Sequence, residues 1–232
     1  MIKVWNNLYI LLYLLSKKVG YILVGSIYNK TGINMKGYIK KLLRESLIRE
    51  ELSDKEMNNL KRLIDSGQGD NIEMAFMIAS GHGEDVENAL FTYWYNSMNG
   101  SNLTWDELKN LKKLGLYKTQ LTSLPDSIGK LTNLKKLTLY KTQLTSLPDS
   151  IGNLTNLDEL VFWRSQLKSL PDWIGNLTNL EWLYLDDNNL TTLPEGIGNL
   201  TNLEWLGLSD NPISDKEKER IKELLPNTDI RF

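Results

Sequence analysis

The chain has 232 residues, 41% of them hydrophobic and 24% charged, which suits one or two modest soluble domains. A formal net charge of −2 gives no global argument for nucleic acid or for an anionic membrane surface as partner. The absence of cysteine excludes disulfides, thiolate metal sites and cysteine nucleophiles, and it points to a reducing, cytoplasmic setting with secretion left open.

Residues 1–34 form a leader of uncertain status. The apolar run Leu8 to Leu15 is preceded by Lys3 and followed by Ser16, Lys17 and Lys18. No good small-residue cleavage site comes after it in SKKVGYILVG, which argues against a secretory signal. A single span from Val4 to Tyr28 would place Lys17 and Lys18 near its centre, at roughly 2.5–3.5 kcal/mol each, so no membrane span is expected. Met35 opens MKGYIKKLLRESL, which reads as a natural protein start. The leader is then an over-extended start, an apolar tail, or a packed or surface-lying helix. Within it, GSIYNKT has nearly phosphate-loop order. Asn29 stands where that loop needs glycine, so no nucleotide or other cofactor is expected.

Residues 35–107 read as a helical region, expected to cap the N-terminal end of the leucine-rich second half of the chain. YIKKLLRESLIREEL carries apolar residues at helical spacing. Ser53 and Glu56 have capping-box spacing before the next helix, and DNIEMAFMIAS is expected to end at Gly81. EDVENALFTYWYNSM offers Leu90, Phe91, Trp94 and Tyr95 as anchors. A short helix capped by Thr104 and Glu107 leads into the second half. His82 is the only histidine. Without a second histidine or any cysteine it makes a poor metal ligand or general base, and it reads as part of a surface turn.

From residue 108 the chain repeats with a period of 23, in units 108–130, 131–153, 154–176, 177–199 and 200–222. In KKLTLY the residues alternate, so Leu137 and Leu139 face one side while Lys136, Thr138 and Tyr140 face the other, as in a half-buried strand. Pro148 cannot extend a ladder, and Ile151, Leu154 and Leu157 then recur every three residues, which suits a short helical return. One unit cannot bury its own leucines, whereas stacked units share a continuous core and one parallel sheet. SDKEKERIKELL has Ser214 and Glu217 in capping-box spacing, and TDIRF can add a last extended piece, together closing the C-terminal end.

The skeleton LxxLxLxx(N/T/S)xLxxLPxxIGxL over residues 108–232 resembles the leucine-rich repeat family, in its 23-residue LPxxIGNLTNL form. The resemblance implies an α/β fold: a right-handed solenoid with a curved parallel sheet, here with an N-terminal helical region. It also implies that an asparagine after each strand satisfies loop backbone groups. That slot holds Thr119, Thr142, Ser165, Asn188 and Asn211, so the first three loops are expected to be looser. Five NLT strings, beginning at Asn102, Asn153, Asn176, Asn189 and Asn199, come from the repeat consensus itself. The cysteine-dependent ubiquitin ligase of some bacterial members has no counterpart, because the chain has no cysteine.

The varying positions are the candidate site. Counted from the leucine that opens each strand, the second position holds Lys113, Lys136, Glu159, Trp182 and Trp205. The fourth holds Gly115, Thr138, Val161, Tyr184 and Gly207; the sixth holds Tyr117, Tyr140, Trp163, Asp186 and Ser209. The seventh holds Lys118, Lys141, Arg164, Asp187 and Asp210. The expected concave face is therefore basic and tyrosine-bearing at one end, acidic and tryptophan-bearing at the other. Tyr, Trp and Arg dominate interface hot spots. Lys113, Tyr117, Lys118, Lys136, Tyr140, Lys141, Trp163, Arg164, Trp182, Tyr184 and Trp205 are the partner-binding candidates, the partner being another protein. Asp186 and Asp187 read as a solvated edge rather than a calcium site. No catalytic, cofactor or metal residues are assigned. The resemblance implies a non-enzymatic, signalling-type scaffold; the alternative is a toxin-like effector enzyme whose helical half acts and whose repeats target it.

Overall fold

The computed structural model describes residues 52–119 and 122–232. The leader, the start reading at Met35, the phosphate-loop-like string and nearly all of the first expected helix lie outside the described residues. The chain divides into two compact units, residues 1–97 and 98–232.

In the first unit, α1 (Asp54–Asp65) begins with the expected capping box. The Ser53 hydroxyl accepts from the Glu56 amide, and the Glu56 carboxylate accepts from the Ser53 amide at 2.9 Å. Helix α2 (Gly69–His82) does not end at Gly81: it continues to His82 and stops at Gly83, whose φ of 110° is open to glycine and strained for other residues. His82 is thus the last helical residue rather than part of a surface turn. Helix α3 (Glu84–Asn99) buries Leu90, Phe91, Trp94 and Tyr95 as its pattern predicts. Phe76 and Phe91 meet the Trp94 ring edge-on, with centroids 5.7 and 5.4 Å away, a geometry that the aromatic quadrupole favours. Tyr93 donates to Asp65 at 2.6 Å and so ties α3 to α1. That hydrogen bond, helped by desolvation, pushes the Tyr93 phenol up to about 12.

The second unit opens with the short helix α4 (Trp105–Lys109), whose Thr104–Glu107 box is complete. Six strands come next in one parallel sheet, ordered as in the sequence: β1 (Lys113–Tyr117), β2 (Lys136–Tyr140), β3 (Glu159–Trp163), β4 (Trp182–Tyr184), β5 (Trp205–Gly207) and β6 (Asp229–Arg231). Leu114, Leu137, Leu160, Leu183, Leu206 and Ile230 stand in register, so equivalent residues of successive repeats form straight rows. The leucines between the outward residues are buried, Leu137, Leu160, Leu183 and Leu206 completely. Four returns are 3₁₀ turns, at Asp126–Lys130, Asp149–Asn153, Asp172–Asn176 and Glu195–Asn199. Each begins after a proline whose ring presets φ, and each buries its isoleucine fully.

In the fifth repeat the 3₁₀ turn is replaced by α5 (Asp215–Leu224). Its capping box is only half formed. The Ser214 hydroxyl accepts from the Glu217 amide at 3.3 Å, but the Glu217 carboxylate turns to the preceding repeat. There it accepts from the Thr192 hydroxyl at 2.8 Å and the Leu193 amide at 3.0 Å, and it pairs with Arg220 at 2.6 Å. The Arg220 hydrogen bond is the main reason the Glu217 carboxyl sits near 2, far below its ordinary value. Arg220 also donates to the Leu193 carbonyl and to Glu195. This ion pair thus satisfies backbone groups that a further repeat would otherwise meet.

The polar slot differs along the solenoid. The Asn188 amide donates to the carbonyls of Phe162, Leu185 and Asp186 at 2.6, 2.9 and 3.2 Å, and its oxygen accepts from the Leu167 amide at 3.3 Å. Asn211 repeats the arrangement one unit on, donating to Leu185, Leu208 and Ser209. In the earlier repeats Thr142 and Ser165 share one hydroxyl bond of 2.8 Å, and the buried Thr119 hydroxyl has no partner among the described residues. A hydroxyl is too short and has too few donors to bridge several carbonyls.

Candidate functional site

The outward rows of the sheet enclose a trough of about 560 Å³ that runs from Tyr117 on β1 to Arg231 on β6. Of the predicted residues, Tyr117, Lys136, Trp163, Arg164, Tyr184 and Trp205 line it. Lys113, Lys118, Tyr140, Lys141 and Trp182 lie outside the lining, and Lys113, Lys118 and Lys141 are exposed. Four acidic residues, Glu159, Asp186, Asp187 and Asp210, also line it, and so does Arg231. Sequence reasoning assigned Arg231 no role because the last extended piece had no outward face attributed to it. Register with Gly207 places it in the fourth-position row.

Large side chains dominate the middle and the basic end. Tyr117 is 60% exposed and Trp163 44% exposed, high values for aromatics of this size. Tyr140 and Trp163 are in contact across β2 and β3, with ring centroids 5.3 Å apart, while Arg164 lies over the indole at 5.7 Å and Lys141 over the phenol ring at 5.3 Å. Desolvation acts to raise the Tyr140 phenol, but hydrogen bonding and charge from Lys141 and then Arg164 outweigh it, leaving the phenol below its ordinary value. Arg164 is bound by Asp187 at 2.8 Å, the main cause of its raised value. Lys136 and Glu159 pair at 2.6 Å on neighbouring strands. Among the described residues, Lys118, Lys141 and Asp210 form no ion pair.

Two fourth-position glycines shape the ends. The Tyr117 ring lies over Gly115, its hydroxyl 2.6 Å from where a Cβ would stand. At the other end the Asp186 carboxylate leans over Gly207 and accepts from the Ser209 amide at 3.0 Å.

The seventh-position row does not belong to the strands. Lys118, Lys141, Arg164, Asp187 and Asp210 all have left-handed backbones, with φ of 55°, 52°, 54°, 59° and 57°. Their amides still donate to the neighbouring repeat, as Lys118 does to the Tyr140 carbonyl at 2.9 Å and Asp187 to the Ser209 carbonyl at 2.9 Å. Asp tolerates this conformation better than Lys or Arg, so the two aspartates were the available sequence signal. The left-handed turn ends each strand and directs the chain into the loop that holds the polar slot.

Repeats stacked in register, one parallel sheet and a buried leucine lattice make this a repeat solenoid. A family model described as the leucine-rich repeat region matches residues 95–184 and 126–231. These segments together cover more than half of the sequence, and the chain belongs to the leucine-rich repeat family. A solved Leptospira interrogans leucine-rich repeat protein is 42% identical, with a TM-score of 0.44, over 54% of this chain and 38% of that one. The chain therefore spans well under half of that relative's length. No curated protein matches the chain. Family membership points to a protein-interaction scaffold. No helix among the described residues is long and apolar enough to cross a membrane, and among them no cluster of His, Cys, Asp or Glu is arranged to hold a metal ion.

Proposed function

We propose that the chain is a non-enzymatic interaction module that works in the cytoplasm and docks another protein on the outward, concave face of residues 108–232. The observation that carries this reading is the half-exposed Trp163, flanked by Tyr140 and Arg164 in the middle of a trough that crosses every strand. Tryptophan, tyrosine and arginine are the residues enriched among binding hot spots. Lys118 and Lys141 at one end and Asp210 at the other steer the partner and fix its direction, and the aromatics hold it. The helical region 35–107 is assigned no chemistry of its own.

Site-specific photocrosslinking tests this. A benzophenone side chain in place of Trp163 should trap a protein in the native source. The same group in place of Asp149, exposed at the start of a 3₁₀ return, should not. Adducts from position 149 with none from position 163 would place binding away from the sheet and overturn the reading.

A further inference from the structure

Along the seventh-position row charge inverts about the central strand β3, and the groups that lean over the two fourth-position glycines invert with it. After β1 and β2 the seventh position carries Lys118 and Lys141, whereas after β4 and β5 it carries Asp187 and Asp210. At the β1 end a phenol hydroxyl leans over Gly115; at the β5 end a carboxylate leans over Gly207. The exposed Trp163 and the buried Val161 near it lie on β3 itself.

Such a surface is complementary to a copy of itself turned by a twofold axis. An axis parallel to the strands and lying over β3, between two opposed faces, sets β1 of one copy over β5 of the other and β2 over β4. Seventh positions then meet seventh positions, and fourth meet fourth. Lys118 faces Asp210 of the second copy, and Lys141 faces Asp187 of the second copy. The Tyr117 hydroxyl, a donor, faces the Asp186 carboxylate of the second copy, an acceptor. Trp163 meets its own equivalent at the axis. The two Arg164 side chains also approach there, each already neutralised by Asp187 of its own chain at 2.8 Å. An axis running across the strands would instead set β1 over β1, lysine against lysine, and is disfavoured by charge. A twofold interface needs one self-complementary patch, and this face provides it.

We infer that this face docks a second copy of the same chain, as an antiparallel-stacked twofold dimer centred on Trp163. The inference rests on the proposal that the face is a docking surface, and it names the occupant. Area sets the strength. Four strand spacings of about 4.8 Å and five residues of about 3.3 Å give a patch of roughly 300 Å² per copy. That is under half of the roughly 800 Å² per partner in a standard interface, so the dimer is weak and reversible. Because Lys118 and Asp210 form no ion pair among the described residues, their contacts across the axis are made on association and weaken with salt.

The test is charge reversal in the full chain, read by sedimentation velocity from about 10 µM to about 1 mM, where so small an interface half-dissociates. The native chain should shift from monomer to dimer across that range, and less so at high salt. Lys118→Glu with Lys141→Glu should weaken association at least about tenfold, and so should Asp187→Lys with Asp210→Lys. The lysines introduced at 187 and 210 are of a type this left-handed row already holds, and the glutamates replace exposed lysines, so thermal melts should confirm folding in each set. An equimolar mixture of the two reversed proteins should dimerise again, because a seventh-position row that is acidic apart from Arg164 meets one that is basic throughout. A native chain still monomeric at about 1 mM, reversed variants that dimerise as well as the native chain, or a mixture that stays monomeric would each overturn the proposal. Trapping of a different protein by position 163 in a monomeric chain would leave the docking reading standing and remove the second copy as occupant.

Discussion

Replacing Asn188 by alanine probes how the solenoid satisfies its loop backbone, and the structure sets the size of the effect. The Asn188 amide serves the carbonyls of Phe162, Leu185 and Asp186 and takes the Leu167 amide, two of the four contacts being 2.6 and 2.9 Å. The residue is buried, at 6% exposure, so water cannot replace those partners without opening the loop. Two good bonds at about 1 kcal/mol each, plus desolvated groups left unpaired at about 1–3 kcal/mol, give a loss of about 3–5 kcal/mol. The matching substitution is Thr119→Val in the first repeat. Its hydroxyl is buried, at 8% residue exposure, and unbonded, so removing it should change stability by less than about 0.5 kcal/mol or raise it. Urea unfolding followed by tryptophan fluorescence, with the m-value checked for each variant, measures both. If Thr119→Val costs as much as Asn188→Ala, the polar slot acts alike in all repeats and the distinction between hydroxyl and amide is wrong.

Two further outcomes are expected. Glu217 sits near 2 in the folded chain against an ordinary 4.5, so its contribution is complete above about pH 4.5 and is lost as pH falls toward about 2. The full shift corresponds to about 3 kcal/mol, and solvent screening at the rim reduces it to about 1–2 kcal/mol. Native protein should therefore lose its stability margin over Glu217→Gln as the pH of the melt is lowered through that window; a margin that stays constant would refute the linkage. Gly129→Ala should destabilise by about 1–3 kcal/mol, because its Cβ would collide with the Ser150 backbone and stand 2.6 Å from the Ser150 Cβ. At the equivalent position near the C-terminal end, Gly198→Ala meets only Leu224 at 3.5 Å and should be tolerated, which paired thermal melts can check.

The period of 23 and the alternation of leucines were enough to determine the strands, their parallel stacking and the face each residue occupies, because side-chain direction in a strand is fixed by parity alone. The capping boxes at Ser53 and Thr104 were equally legible, since their partners lie three residues away along the chain. Partners from other repeats were not. Glu217 forsakes its own N-cap for the Thr192 hydroxyl and the Leu193 amide of the preceding repeat, and only stacking brings those groups within 3.0 Å. The left-handed backbone at Lys118, Lys141 and Arg164 was hidden because local preference disfavours it there; the ladder to the next strand and the turn into the buried loop override that preference. The candidate site shows the same division. Parity along each strand decided which aromatics and charges point outward. That Asp186 folds over Gly207 and that Arg231 closes the trough depend on which rows become neighbours when the repeats stack, a relation between residues 21 and 24 positions apart.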